Sequence, residues 1–266
     1  MTGQRTLLTV AGLVAVTMSP PLAVAGTPAM TSGQLVQSTM HAMSALHGLH
    51  SETNVHLIGP PAGGTGSEDI KAHVSLDCVI TYAGSKGMAA IRASVQGTVV
   101  PAGAKASRPF NMRYILLASS GPNGSSQHLS LWERDVMAGT GWHSPHTSMQ
   151  SPAYAAFVNA QEEGCPAGIA ALHAIQGARS KAPVMTGTGG RRDWSVSGTS
   201  GNLVAGRFTI RLLIAPATYR LYRATLQLRQ SVRNTPTIIR QDTTTVYSGY
   251  GERLTITAPK PGSRTP

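Results

Sequence analysis

The chain has 266 residues, of which 41% are hydrophobic and only 12% are charged, and it contains 29 glycines. This composition excludes a disordered chain, which is rich in charge and poor in apolar residues. The length suits one large domain or two small ones. We therefore expect a folded, sheet-rich protein with many turns.

The first 25 residues have the pattern of a secretory signal peptide. Arg5 precedes an apolar run over residues 7–16, a Ser-Pro-Pro stretch follows, and residues 23–25 offer a small-residue cleavage site. The run is shorter than the roughly 20 apolar residues that span a bilayer. No Cys follows it to carry a lipid anchor. We predict an exported protein of the cell envelope, periplasmic or extracellular, that is soluble after cleavage and not lipid-anchored.

The net charge of +11 is concentrated in the C-terminal part of the chain. Residues 179–266 contain fourteen Lys and Arg against Asp193, Asp242 and Glu252. Such a field favours anionic lipid headgroups or a polyanion. The sequence has no recognition-helix, zinc or RNA-binding aromatic pattern, so we expect no nucleic-acid partner. Arg211, Arg220, Arg223, Arg229 and Arg233 fall mostly on polar strand faces, and we interpret these faces first as a solvated convex surface. The functional alternative is that the basic C-terminal part docks on an anionic membrane surface.

Hydrophobic periodicity predicts a helix first and strands after it. Residues 34–49 place apolar side chains three or four positions apart, which is typical of an amphipathic helix. From Val55 the period changes to two, the period of a strand. The predicted strands of this first group are 55–59, 72–80, 91–99, 110–118 and 129–133.

Residues 152–178 interrupt the strands. They are rich in alanine and poor in β-branched residues, which predicts two short helices broken at Gly164-Cys165-Pro166. Strands then resume at 194–197, 208–214, 222–228, 243–247 and 254–257. A Pro-rich tail at 261–266 follows, so residues 26–260 are predicted to form a single domain.

Each long predicted strand is apolar on one face and polar or basic on the other. So many strands can bury their apolar faces on a few helices only if the sheet bends around them. We predict an α+β fold in which helices cover the concave face of a strongly curved antiparallel sheet, a half-open β-barrel. Such a wrap tends to leave an apolar hollow.

Four segments carry a family resemblance: ALHGLHSETNVHLIG (45–59), LWERDVMAGTGWHSP (131–145), FTIRLLIAPATYRLYRATLQLRQ (208–230) and YSGYGERLTITAP (247–259). In this order they resemble the LolA-type lipoprotein-carrier superfamily, especially its LppX and LprG-like branch of envelope lipid-binding proteins. The resemblance covers almost all of the chain after the signal. It implies a half-open β-barrel with a cavity for acyl chains. The chain departs from the family in lacking the lipobox Cys and in having Ala215 and Ala217 beside Pro216.

The expected ligand is a lipid or another acyl-chain molecule. Burial of each CH₂ group contributes about 0.8 kcal/mol, so a dry hollow alone can hold an acyl chain. We expect the cavity to be lined by apolar side chains of the helices and of one strand face: Met40, Met43, Leu46, Leu57, Val74, Leu76, Ile91, Val95, Met112, Tyr114, Leu116, Phe157, Leu172, Leu212, Ile214, Tyr222 and Leu226.

Two cysteines, Cys78 and Cys165, are present. Oxidation is permitted in an exported chain, so the two can form one intramolecular disulfide. The alternative is two unpaired thiols.

The sequence shows no cluster that points to catalysis or metal binding. His47 and His50, and likewise His143 and His146, lack the neighbouring Cys or carboxylates that would complete a metal site. No G-x-S-x-G elbow is present either. We expect no enzymatic activity and no cofactor.

Two functional hypotheses follow. The first is an exported, non-enzymatic carrier or sensor that holds a lipid or other hydrophobic ligand in an apolar cavity. The alternative is a structural or regulatory protein-interaction module of the envelope, in which the same fold has a core filled by its own side chains.

Overall fold

The computed structural model describes residues 30–60, 66–83, 86–120, 127–144, 151–165, 170–176, 178–188, 191–202, 206–231 and 238–264. The predicted signal peptide at 1–25 lies outside these residues.

The first helix, α1, comprises Ser32–Ser44 and begins with a capping box. The Thr31 hydroxyl accepts a hydrogen bond from the Gln34 N–H, and the Gln34 side chain accepts one from the Thr31 N–H. The predicted helix 34–49 is wrong at its C-terminal end, because the next strand already begins at Gly48. A Cβ on Gly48 would lie 2.3 Å from the Glu252 carbonyl oxygen, so this position needs a glycine.

Within the described residues, eleven strands form one sheet. They are β1 (Gly48–Gly59), β2 (Glu68–Ala83), β3 (Lys86–Val100), β4 (Arg108–Ser120), β5 (Gln127–Asp135), β6 (Arg179–Ser180), β7 (Val184–Thr188), β8 (Arg191–Asn202), β9 (Gly206–Ile214), β10 (Leu221–Ser231) and β11 (Ile238–Ser248). Their order is β5-β4-β3-β2-β1-β11-β10-β9-β8-β6, and β7 also pairs with β8. Neighbours are antiparallel throughout.

The curved sheet stays open. Strand β5 lies at one edge, and β6 and β7, which both pair with β8, lie at the other edge. Helices α2 (Pro152–Gly164) and α3 (Ala170–Gln176) follow β5, broken where the alanine-rich segment was predicted to break. The prediction of an α+β fold with a half-open antiparallel barrel is confirmed.

Two strand predictions need correction besides that of β1. The strand predicted at 194–197 extends over twelve residues as β8, and no strand forms at 254–257. The reason for the second error is that β11 already pairs with β1 and β10, so no free sheet edge is left beside it. Residues 249–264 instead run irregularly to Trp142, whose N–H donates to the Ser263 carbonyl over 3.0 Å.

The apolar strand faces pack against the helices in two clusters. One cluster joins α1 and α3 to β8, β9 and β10, and the other joins α2 to β1, β2, β3 and β4. Each half of the sheet thus has its own helical cover. The burial of these one-sided strands on helices is the main stabilising contribution to the fold.

A polar seam separates the two clusters on the concave face of the central strands β1 and β11. Ser51, Thr53, Thr243 and Thr245 are all buried there. The Thr53 and Thr245 hydroxyl oxygens lie 3.1 Å apart and share a hydrogen bond. Buried hydroxyls need such partners because an unpaired polar group in the core is costly.

A disulfide holds the C-terminal end of α2 against this seam. Cys78, fully buried in β2, is bonded to Cys165, which follows α2, with 5.5 Å between the two Cα atoms. The preceding Gly164 is needed for the close approach, because a Cβ there would lie 2.5 Å from the Ser51 hydroxyl oxygen. The covalent bond therefore fixes one end of α2 to the sheet.

We expect the double substitution Cys78→Ala with Cys165→Ala to lower the free energy of unfolding by about 2–4 kcal/mol, because a loop of 87 residues is then left open in the unfolded chain. Urea unfolding with and without reductant measures the effect. Reductant should shift the midpoint of the unmodified protein and leave that of the double variant unchanged. Equal midpoints for the oxidised and reduced unmodified protein would contradict the prediction.

Candidate functional site

The side chains predicted to line a hollow are found in the two core clusters, with one exception. The cluster under α1 and α3 contains or contacts Met40, Met43, Leu46, Leu172, Leu212, Ile214 and Leu226. The cluster under α2 contains or contacts Leu57, Val74, Leu76, Ile91, Val95, Met112, Tyr114, Leu116 and Phe157. Most of these residues are buried against the helices, so in this structure they form core.

The packing under α2 is dense around one aromatic pair. The rings of Tyr114 and Phe157 are stacked, with 4.8 Å between centroids, and Tyr154 meets Tyr114 edge-on at 6.1 Å. Stacked and edge-to-face arrangements are the favourable ones for aromatic side chains. Phe157 thereby anchors the middle of α2 to β4.

Tyr222 is the exception, because the strand that carries it is irregular at this point. A β-bulge between Leu221 and Arg223 shifts the alternation of β10 by one residue. Leu221 is therefore fully buried in the core, while Tyr222 is half-buried outside both clusters. The Arg223 guanidinium carbon lies 5.9 Å from the centre of the Tyr222 ring.

A cleft of about 260 Å³ opens between the first turns of α2 and the sheet. It lies where β1 ends and where β2 and β11 begin. Its lining is mostly apolar, with a few polar side chains. The lining residues are Leu57, Ile58, Gly59, Pro60, Glu68, Ile70, Ser151, Pro152, Ala155, Asn159, Ile239, Arg240 and Gln241. Ligand pockets commonly measure about 300–1,000 Å³, so this cleft suits a narrow guest.

The start of α2 positions one wall of the cleft. The Ser151 hydroxyl accepts a hydrogen bond of 3.0 Å from the Tyr154 N–H, and Pro152 occupies the first turn, where a missing N–H costs nothing. Ala155 and Asn159, one helical turn apart, face the cleft. The Asn159 side-chain amide donates a hydrogen bond of 2.8 Å to the Ala155 main-chain carbonyl. The small Ala155 side chain leaves the cleft open at this wall.

Leu57 is the predicted cavity residue that lines this cleft, whereas Ile58 and Ile239 were not predicted. Ile58 follows Leu57 directly, so β1 ends with two neighbouring apolar residues and its alternation fails there. That failure is the signal in the sequence for an apolar surface at the strand end. The same signal precedes Ile239, because β11 begins with two consecutive isoleucines, of which Ile238 is exposed and Ile239 lines the cleft.

The opposite, convex face carries a network of histidines and carboxylates across β1, β2 and β3. His50 bonds to Asp77 through Nδ1 and to Glu52 through Nε2, both at 2.8 Å. The second Glu52 oxygen lies 2.8 Å from His73 Nε2, and Arg92 donates to Asp77 over 2.7 Å. No group of side chains suited to hold a metal ion is found in the described parts of the chain.

These contacts move two pKa values in opposite directions. Burial lowers the pKa of His50, but the hydrogen bonds and charges of Asp77 and Glu52 outweigh it, so the pKa is raised above 6.5. Burial raises the pKa of Asp77, but the bonds and charges of His50 and Arg92 lower it below 3.8. The network is therefore held together by charge in mildly acidic solution.

The sign of the linkage gives a pH-dependent stability. The raised pKa of His50 stabilises the fold fully below about pH 6.5, and this contribution is lost as the pH rises through the folded-state pKa. The lowered pKa of Asp77 stabilises the fold above about pH 3.8 and is lost as the pH falls through its folded-state value. Both contributions are present between these limits.

We expect His50→Gln to reduce the free energy of unfolding more at about pH 5.5 than at about pH 8.5, because only protonated His50 pairs with the two carboxylates. Urea unfolding at the two pH values measures the difference. The matched control is His47→Gln, at an exposed position three residues earlier, which should change stability equally at both. If His50→Gln lowers the free energy of unfolding equally at both pH values, the contacts of His50 do not depend on its charge.

None of the described helices is long and apolar enough to cross a membrane. No family model and no curated protein sequence matches the chain. Similar solved structures include LprF from Mycobacterium bovis, with 15% identity, a TM-score of 0.40 and coverage of 87% of this chain and 97% of that one.

The lipoprotein LppX from Mycobacterium tuberculosis is also similar, with 11% identity, a TM-score of 0.36 and coverage of 85% and 97% of the two chains. A putative outer membrane lipoprotein-sorting domain from Vibrio parahaemolyticus has 8% identity, a TM-score of 0.27 and coverage of 84% and 93%.

Proposed function

We propose that this protein is an exported, non-enzymatic carrier or sensor that binds a lipid or another hydrophobic ligand between α2 and the concave face of the sheet. The observation that carries the proposal is the apolar cleft beside the first turns of α2. Leu57, Ile58, Ile70 and Ile239 offer apolar surface to a guest in it. An acyl chain that enters gains about 0.8 kcal/mol per buried CH₂ group.

The rim of the cleft supplies the polar partners that a headgroup needs. Arg240 and Gln241 lie on the β11 side, and Asn159 lies on the α2 side. The side-chain amides of Asn159 and Gln241 can donate hydrogen bonds to carboxylate or phosphate oxygens. A fatty acid or phospholipid would thus place its chain inside and its headgroup between Asn159 and Gln241.

Widening of the cleft fits the way α2 is attached. Its C-terminal end is bonded to β2 through Cys165, while its N-terminal end borders the cleft and is not held by a disulfide. A small outward swing of the N-terminal end would therefore enlarge the cleft toward the Phe157 cluster. In this proposal, the packed core under α2 is the empty state of the binding site.

A protein-interaction module remains the second candidate, because a specific observation favours it. The predicted lining is buried in the two clusters, as expected for a fold whose core is filled by its own side chains. In that case the cleft would be a surface groove and the protein would act through its outer faces. Ligand binding separates the two candidates.

We expect the purified protein to bind a fluorescent fatty acid, and native mass spectrometry to show a retained lipid after gentle purification. Ala155→Trp should weaken fatty-acid binding about tenfold, because the indole takes the space of at least two CH₂ groups of the ligand. Fluorescence titration measures the affinity.

The matched control is Glu162→Trp, which adds the same side chain to an exposed position of the same helix and should bind as the unmodified protein does. Absence of binding in the unmodified protein, together with no retained lipid, would reject the carrier and favour the interaction module. An equal loss in both tryptophan variants would place the ligand elsewhere.

A further inference from the structure

The convex face of β9, β10 and β11 concentrates positive charge. Five arginines project from it: Arg207 and Arg211 from β9, Arg223 and Arg229 from β10, and Arg240 from β11. Between residues 206 and 248 the sequence contains one acidic residue, Asp242. Five of the fourteen basic residues in the C-terminal part thus lie on one surface, with one carboxylate among them.

Three of these arginines stand in one lateral row. Arg229 is paired directly with Arg207 on β9 and with Arg240 on β11. We call Arg207, Arg229 and Arg240 the arginine row. Directly opposed side chains on neighbouring antiparallel strands have Cβ atoms about 4.5–5.5 Å apart, and like charges at this distance repel each other.

The fold does little to relieve this repulsion. Asp242 lies 3.6 Å from Arg240 Nε, and a single carboxylate leaves most of the charge of the row in excess. Arg207 and Arg229 are exposed, so solvent and any bound anion can reach them. The row lowers the stability of the fold and concentrates hydrogen-bond donors that all carry positive charge. This combination is expected of a surface that docks on an anionic partner.

We propose that the arginine row docks this protein on an anionic phospholipid bilayer. Guanidinium groups bind phosphate oxygens in a bidentate manner, and adjacent arginines suit a surface of closely spaced phosphates. This proposal goes beyond ligand binding in the cleft and does not depend on it, because docking needs no ligand inside.

An exposed apolar side chain lies near the arginine row. Ile238, at the start of β11, is 53% exposed and lies at the same end of the sheet as the row. Arg240 also borders the cleft. A bilayer bound by the row would therefore meet the isoleucine and face the entrance of the cleft.

Co-sedimentation tests the proposal with vesicles of phosphatidylglycerol mixed with phosphatidylcholine, and with vesicles of phosphatidylcholine alone. We expect binding to the first and not to the second, weakening as salt is added. Arg229→Gln should lower the partition coefficient about fivefold, and Arg229→Glu should lower it further. Circular dichroism checks that both variants are folded, and Arg207→Gln serves as a second neutral variant.

Arg192→Gln is the matched control, because it removes one exposed arginine at the start of β8, at the end of the sheet opposite to the row. It should bind the anionic vesicles as the unmodified protein does. The proposal is overturned if the unmodified protein does not bind them or if the Arg192 and Arg229 variants lose binding equally. Binding to heparin without binding to vesicles would also overturn it, in favour of a soluble polyanion.

Tryptophan fluorescence tests the orientation of the docked protein. Ile238→Trp should shift its emission to shorter wavelength on addition of anionic vesicles, above the background of the three native tryptophans. Val184→Trp, equally exposed but near the opposite end of the sheet, should not shift. A shift in the Val184 variant alone would contradict docking through the arginine row.

Discussion

Each long strand of this sheet is apolar on one face only, and the need to cover that face determines the architecture. Three short helices among the described residues provide the cover, so the sheet must curve around them. The cover is divided, since α1 and α3 serve one half of the sheet and α2 serves the other. The polar seam of Thr53 and Thr245 lies where the halves meet. The molecule therefore has two cores that share a central pair of strands.

The two ends of α2 are attached to the sheet in different ways. The covalent bond of Cys165 and the close contact of Gly164 with Ser51 hold one end of the helix. The other end relies on its Ser151 cap and on packing around Phe157. A helix held at one end can open at the other without disruption of the second core. The small cleft and the dense packing under α2 are thus compatible with ligand binding.

Periodicity predicted the element order and the buried strand faces, because both depend on local alternation. It failed where a single residue changes which positions of a helix or strand are buried. Leu49 suits a helical and a strand pattern equally, and the bulge at Tyr222 exchanges that residue for Leu221 in the core. Whether aligned apolar residues leave a hollow or fill it depends on side-chain volumes across the sheet. Periodicity contains no information on those volumes, so it could not predict that most of these residues pack in two clusters or that Ile239 and Ala155 line the cleft.

The arginine row illustrates the same limit at the level of charge. The sequence shows a basic C-terminal part, but the repulsion between Arg207, Arg229 and Arg240 exists only once the strand registers are set. Strand pairing turns a diffuse excess of charge into a local cost in stability. Such costs tend to persist at functional surfaces, where activity and stability conflict. Because β11 contributes Arg240 to the row and Ile239 to the cleft, one strand would couple the proposed docking on a bilayer to the entry of the proposed ligand.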